Sequence, residues 1–122
     1  MEKINDKEYY ELRKELRKLY DNDVNLEGDL CCSILQIRDK YTYVNSINVS
    51  LQSYQISVDM DEDTKQEDVI NISDLILEKL REFIIKNSTI LNIKDKNVFD
   101  GFIATNSFCD VIIVGTSIRF HL

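Results

Sequence analysis

Ile47-Asn-Val-Ser-Leu-Gln-Ser-Tyr-Gln-Ile-Ser-Val-Asp-Met60 decides the fold, because its apolar residues recur at every second position. Ile47, Val49 and Leu51 alternate with Asn48, Ser50 and Gln52, then Tyr54, Ile56, Val58 and Met60 alternate with Gln55, Ser57 and Asp59. A period of two is that of a strand with one buried and one wet face. The apolar phase flips from odd to even between Leu51 and Tyr54, so a bulge or a turn lies at Gln52-Ser53. No Gly or Asn-Gly marks a hairpin there, which favours one long bulged strand over two strands.

Immediately after comes a different pattern. Asp61-Glu-Asp-Thr-Lys-Gln-Glu-Asp68 is a polar, acidic segment, and Thr64 with Glu67 has the spacing of a capping box. Val69, Ile72, Ile76, Leu80 and Phe83 then form one apolar line, widened by Leu75, Leu77 and Ile84. That spacing predicts an amphipathic helix over 67–86, laid across the sheet and fading at Asn87-Ser88. Acidic residues at its start complement the partial positive charge of a helix N-terminus.

Toward the N-terminus, Asn5 can cap a first helix with Glu8 as its partner, while Ile4 and Tyr9 occupy the staple positions. Tyr9, Leu12, Leu16, Leu19 and Tyr20 share one face; Glu11, Arg13, Lys14, Glu15, Arg17 and Lys18 make up the wet remainder. Asp21-Asn-Asp23 ends it. The stretch Leu30-Cys-Cys-Ser-Ile-Leu-Gln-Ile37 carries apolar residues on both faces and reads as a covered strand, leaving through a turn at Arg38-Asp-Lys40. Tyr41 and Tyr43 can open the next strand. Beyond the second helix, the pattern suggests a short strand at Ile90–Ile93 and a turn at Asp95-Lys-Asn97. A hairpin then joins Val98–Thr105 to Cys109–Phe120 through Asn106-Ser107, with Gly115 a potential break. The resulting class is α+β, in the order α-β-β-β-α-β-β, with one mostly antiparallel sheet and helices packed on it.

A chain of 122 residues supports one hydrophobic core, since typical domains take about 100–150 residues; residues 1–122 are read as a single domain. Its longest apolar runs, Val111–Val114 and Leu75–Leu77, fall far short of the roughly 20 residues that cross a bilayer. The polar start, Met-Glu-Lys-Ile-Asn-Asp-Lys-Glu, has no signal-peptide core, so the expected location is the cytoplasm. Cys31 and Cys32 are adjacent and Cys109 stands apart, which reads as three buried thiols rather than a disulfide framework or a metal clamp.

The formal charge of −7 is placed unevenly: six acids face one base between Asp59 and Asp68. No basic stripe is available to neutralise phosphates, so direct nucleic-acid binding is not expected. Nor does the chain contain a nucleophile elbow, a phosphate-binding Gly-rich loop or a His-Glu-x-x-His motif, and its one histidine, His121, sits where chains usually fray. No enzyme activity and no cofactor are therefore expected.

The constellation to weigh is Asp59, Asp61 and Asp63, whose spacing imitates the first ligands of a calcium loop. The imitation fails at Thr64, where that loop needs glycine, and at Ile70, where it needs a bidentate glutamate. As a strand end, the three carboxylates could hold Mg²⁺ weakly, but a solvated acidic turn is the simpler reading. Asp59, Asp61, Glu62 and Asp63 are accordingly expected to form an interaction loop rather than a metal site.

Read together, this layout resembles the tail terminator (tail completion) proteins of tailed bacteriophages and phage-tail-like bacteriocins. The resembling stretches are Tyr54-Gln-Ile-Ser-Val-Asp-Met60, Asp74-Leu-Ile-Leu-Glu-Lys-Leu-Arg-Glu-Phe-Ile84 and Gly115-Thr-Ser-Ile-Arg-Phe-His-Leu122. The resemblance implies a ring, commonly hexameric, that caps the tail tube and docks to sheath or head-connector proteins, ending in the assembled particle. It carries over no catalytic residue. Two departures stand out: the Cys31-Cys32 strand is very apolar for a barrel lining, and the usual proline after the first helix is missing. The alternative is a small acidic anti-defence or immunity inhibitor that offers carboxylates to a nucleic-acid-binding protein where phosphates would sit. Association through a sheet edge suits the first reading, because Lys and Arg are absent from Thr42 through Asp63 and the chain has no proline to guard an edge.

Overall fold

The computed structural model describes residues 5–22 and 24–122. The elements run α1 (Asn5–Asn22), α2 (Val24–Lys40), β1 (Val44–Ser50), β2 (Gln55–Met60), α3 (Gln66–Lys86), a 3₁₀ turn (Ser88–Ile90), α4 (Lys96–Ala104), β3 (Asp110–Val114) and β4 (Ser117–His121). The four strands form one sheet in the order β1-β2-β4-β3, with every neighbour antiparallel. The class is α+β, with helices packed on an antiparallel sheet.

Period-two alternation dictates which face of that sheet is covered. Ile56, Val58 and Met60 of β2 are buried together with Ile118 and Phe120 of β4, and Ile47 of β1 lies opposite Val58. On the other face Asn48, Ser57 and Arg119 follow one another across the strands, and all are exposed or half-buried. The helices supply the second layer. Val69, Ile72, Ile76, Leu80 and Phe83 of α3 are buried, as their spacing requires, and Leu80 is fully so. Leu12, Leu16, Leu19 and Tyr20 of α1 are buried too, with Tyr20 stacked on Phe83 at 6.3 Å between ring centres.

Two segments expected as strands are helices. In α2, Leu30, Ile34 and Ile37 are buried at helical spacing, with Cys31 and Leu35 half-buried beside them. The apolar content on both apparent strand faces is thus one broad helical stripe, and Arg38-Asp-Lys40 is the last helical turn, not a loop. The α4 segment replaces the strand expected at Val98–Thr105. Asp95 caps it, its carboxylate accepting hydrogen bonds from the amides of Asn97 at 2.9 Å and Val98 at 3.3 Å. Phe99, Phe102 and Ile103 then face the core, and Phe102 meets Tyr9 edge-on at 5.6 Å. The order consequently reads α-α-β-β-α-α-β-β. No strand forms at Ile90–Ile93: Ile90 ends the 3₁₀ turn and 91–93 continue as irregular chain.

The turns also differ from expectation. Gln52-Ser53 is a turn separating β1 from β2, not a bulge in one strand; Tyr54 closes it with φ of 54°. Left-handed backbone is costly for a tyrosine. Three contacts hold it: the Tyr54 hydroxyl donates to Asp21 at 2.7 Å, the Arg17 guanidinium lies 4.4 Å over its ring, and its carbonyl accepts from the Leu122 amide at 2.8 Å. The last hairpin turns at Gly115-Thr116, where Gly115 has φ of 60°, and Asn106-Ser107 instead follows α4. At the start of α3, Lys65 is the cap residue and no side chain caps the helix, so Thr64 and Glu67 do not form a capping box. The proposed cap at Asn5 and staple through Ile4 lie outside the described side chains.

Candidate interaction surface

β2 ends at Met60 and the chain turns through Asp61-Glu-Asp-Thr-Lys65 into α3. The turn closes on itself, the Thr64 amide donating to the Asp61 carbonyl at 3.0 Å. Backbone bonds fix its neighbours: the Asp61 amide donates to the Tyr43 carbonyl at 3.0 Å, and the Met60 amide to the Thr116 carbonyl at 3.0 Å. Gln66 reaches across to the Gly115 carbonyl, also at 3.0 Å. One end of the sheet therefore gathers the exit from α2, the acidic turn and the tip of the β3–β4 hairpin.

Within this end, the four acids expected as a loop have two different environments. Asp59 still belongs to β2, where its carboxylate accepts from the Ser117 hydroxyl at 2.7 Å and the Ser46 hydroxyl at 3.5 Å. Asp61, Glu62 and Asp63 are exposed, and among the described residues no side-chain hydrogen bond or ion pair reaches them. The structure thus separates Asp59, occupied by two serines, from three solvated carboxylates. Among the described residues no three acidic, histidine or cysteine side chains converge on a metal position. Thr64 turns its hydroxyl inward, where it is buried without a hydrogen-bond partner among the described residues. Beside the turn, burial first and the Asp68 charge second push the Tyr43 phenol above its ordinary pKa.

The second component is one that the sequence reading passed over. β3 is an edge strand, and Ile112, Ile113 and Val114 are 47%, 39% and 71% exposed. Ile113 points to the same face as Ile118, whereas Ile112 lies beside Arg119 and Val114 beside Ser117 on the polar face. The signal was legible: Val111-Ile-Ile-Val114 is apolar without alternation, which a sheet covered on one face only cannot bury completely. The opposite edge, β1, carries no charged residue from Val44 to Ser50.

Side chains capable of chemistry are scattered or inert. Burial pushes the Cys109 thiol up to about 12, far from the thiolate a nucleophile needs. Cys31 is half-buried and Cys32 exposed, so of the three thiols expected to be buried only Cys109 is. Burial also raises the Tyr20 phenol strongly. Tyr54 is raised mainly by its hydrogen bond to Asp21. His121, expected at a fraying end, is held in β4 opposite Gln55 and Asp110. Arg13 and Arg17 were expected on the wet face of α1; instead they clamp the last strand. Arg13 donates to the His121 carbonyl at 2.8 Å and pairs with Asp110 at 3.2 Å, while Arg17 donates to the Leu122 carbonyl at 2.8 Å. No family model, curated protein or solved structure matches this chain.

Proposed function

We propose that the protein is a structural assembly subunit that joins others through the edges of its sheet, a tail terminator ring being the specific form. The observation that carries this reading is a four-stranded sheet whose two outermost strands have no strand on their outer side among the described residues, one of them with three consecutive exposed apolar residues. A long apolar edge costs solubility and invites unwanted pairing, so a protein that keeps one gains from it only by pairing. Helices α2 and α4 replace two strands of the expected layout, so the support comes from the edges rather than from the element order. Association needs no catalytic group, and the burial of Cys109 agrees with that division of labour.

The solvated acidic turn supports a second reading, the acidic inhibitor of a nucleic-acid-binding protein. Neutralising the turn by Asp61→Asn, Glu62→Gln and Asp63→Asn separates the two. For the assembly subunit, light scattering alone and with tail tubes is expected to show association largely unchanged by the triple substitution. For the inhibitor, the protein stays monomeric, ignores tubes and binds a basic target in a salt-dependent way that the triple substitution abolishes. Monomers that fail to join tubes at any concentration would remove the ring.

A further inference from the structure

Resting on the association part of that reading, we infer that the β3 edge takes the β3 edge of a second copy of this chain, the two strands running antiparallel about a twofold axis at Ile112. Apolar surface says on which side the second copy sits. Among the described residues seven large hydrophobic side chains are exposed, and four of them, Ile70, Ile112, Ile113 and Val114, lie on the β3 side of the protomer. Ile70 belongs there because Gln66, one turn before it, donates to the Gly115 carbonyl at 3.0 Å, and Arg81 donates to the Asn106 side chain at 2.7 Å. Those two bonds tie one flank of α3 to both ends of the segment that holds β3. The β1 edge offers no comparable surface, since Ser46, Asn48 and Ser50 fill its face away from the helices. A β1 strand laid on β3 would set Ile112 and Val114 among hydroxyls and an amide. A second β3 sets Ile112 against Ile112, with Val114 diagonal to it.

Register and charge agree with that choice. Centred on Ile112, the pair sets Val111 opposite Ile113 twice on the helix-covered face, so the apolar face of one sheet runs on into the next. On the other face, Asp110 of each copy comes opposite Val114 of the second. Asp110 is the only charged residue of β3, so no acid of one strand meets an acid of the other, although the chain carries a net charge of −7. A base stands near instead. Arg119 is exposed beside Ile112 on β4 and has no hydrogen-bond or ion-pair partner among the described residues. The second copy's Asp110 lies two strands across and two residues along from it, about 12 Å between Cα atoms, within reach of an extended arginine and an aspartate. Although Arg13 pairs with Asp110, its side chain is 72% exposed and keeps an oxygen free to accept. The twofold axis makes this contact twice, and a β1 occupant makes it nowhere, because β1 carries no charge. Such a contact is isologous and closes at two copies, leaving a β1 edge at each end from which a larger assembly would continue.

Position 112 faces itself only in this pair, so opposite charges placed there test it directly. Ile112→Lys and Ile112→Glu change an exposed side chain, and circular dichroism verifies that each variant folds. In light scattering the wild type is expected to show twice the protomer mass, and each variant alone is expected to associate more weakly, because like charges meet at the axis. An equal mixture of the two is expected to associate about tenfold more tightly than either variant alone. Variants that each associate as tightly as the wild type would show that β3 is not the contact. If both variants are weakened and the mixture is no tighter than they are, β3 meets some other surface: association through the edge survives and the twofold pair falls. A wild type that stays monomeric at high concentration overturns the pair, and the assembly reading falls with it only if tail tubes also fail to recruit the protein.

Discussion

β3 and β4 are neighbours in one hairpin and of equal length, and the more apolar of the two, β3, is the one left exposed. Ile118 and Phe120 of β4 are fully buried, whereas Ile112, Ile113 and Val114 of β3 stand open to solvent. The difference lies in what flanks them. β4 has a strand on each side and α3 packed over it; β3 has one neighbour and no strand beyond. Hydrophobic burial therefore measures coverage, not composition. One strand of the hairpin holds the fold, and the other is spare surface on which association can draw.

The comparison breaks most visibly in the covered strand. Phe120→Ala is expected to lower stability by about 3–5 kcal/mol and Leu80→Ala, buried in the α3 layer, by about 2–5 kcal/mol. Urea unfolding monitored by circular dichroism checks both, and a loss below about half a kcal/mol at either position would mean that the sheet and α3 do not share one core.

Next in size is an alkaline effect centred on Cys109, at the entry to β3. Burial raises its pKa to about 12 from an ordinary value of 9.0. An acid whose pKa is raised on folding keeps its proton in the native state after the unfolded chain has released it. Its contribution is thus complete below about pH 9 and declines as pH climbs toward the folded value. Buried Tyr20 acts in the same direction. Stability is expected to fall by on the order of 2 kcal/mol between neutral pH and about pH 11. Cys109→Ala should flatten part of that decline; an unchanged pH profile would assign it to other groups.

The smallest effect belongs to the uncovered strand. Val114→Lys is expected to change unfolding stability by less than about 0.5 kcal/mol, because a surface position outside any cap or buried contact contributes little. A loss comparable to that of Phe120→Ala would show that β3 is part of the core after all, and the contrast between the two strands would vanish.

Legibility followed how locally each signal is encoded. α3 was readable to within a residue at its start because its apolar line runs for about four turns beside a strongly polar face, and β2 because strict alternation leaves no other template. By contrast, α2 carries a weak contrast between its faces. Cys31, Cys32 and Leu35 surround the Leu30–Ile34–Ile37 stripe, and a short apolar run fits a buried strand equally well until something packs against it. The helix α4 could have been recognised from the Asp95 cap together with Phe99, Phe102 and Ile103, but β-branched Val98 and Ile103 favour a strand locally and the interior Gly101 weakens a helix.

For the candidate surface, the acids at Asp59, Asp61, Glu62 and Asp63 were visible as charge, while their division into a serine-bonded Asp59 and three solvated carboxylates depends on Ser46 and Ser117, far away in the chain. Arg13 and Arg17 show the same limit, since helical spacing assigns them to a wet face and only the arrival of β4 gives them carbonyls to bind. By itself the sequence determined the α+β class, the one-sided sheet and the amphipathic helix upon it, because periodicity is a property of consecutive residues. Strand order, the exposed β3 edge and the company of the acidic turn were decided only in the tertiary structure, because coverage is a relation between segments distant along the chain.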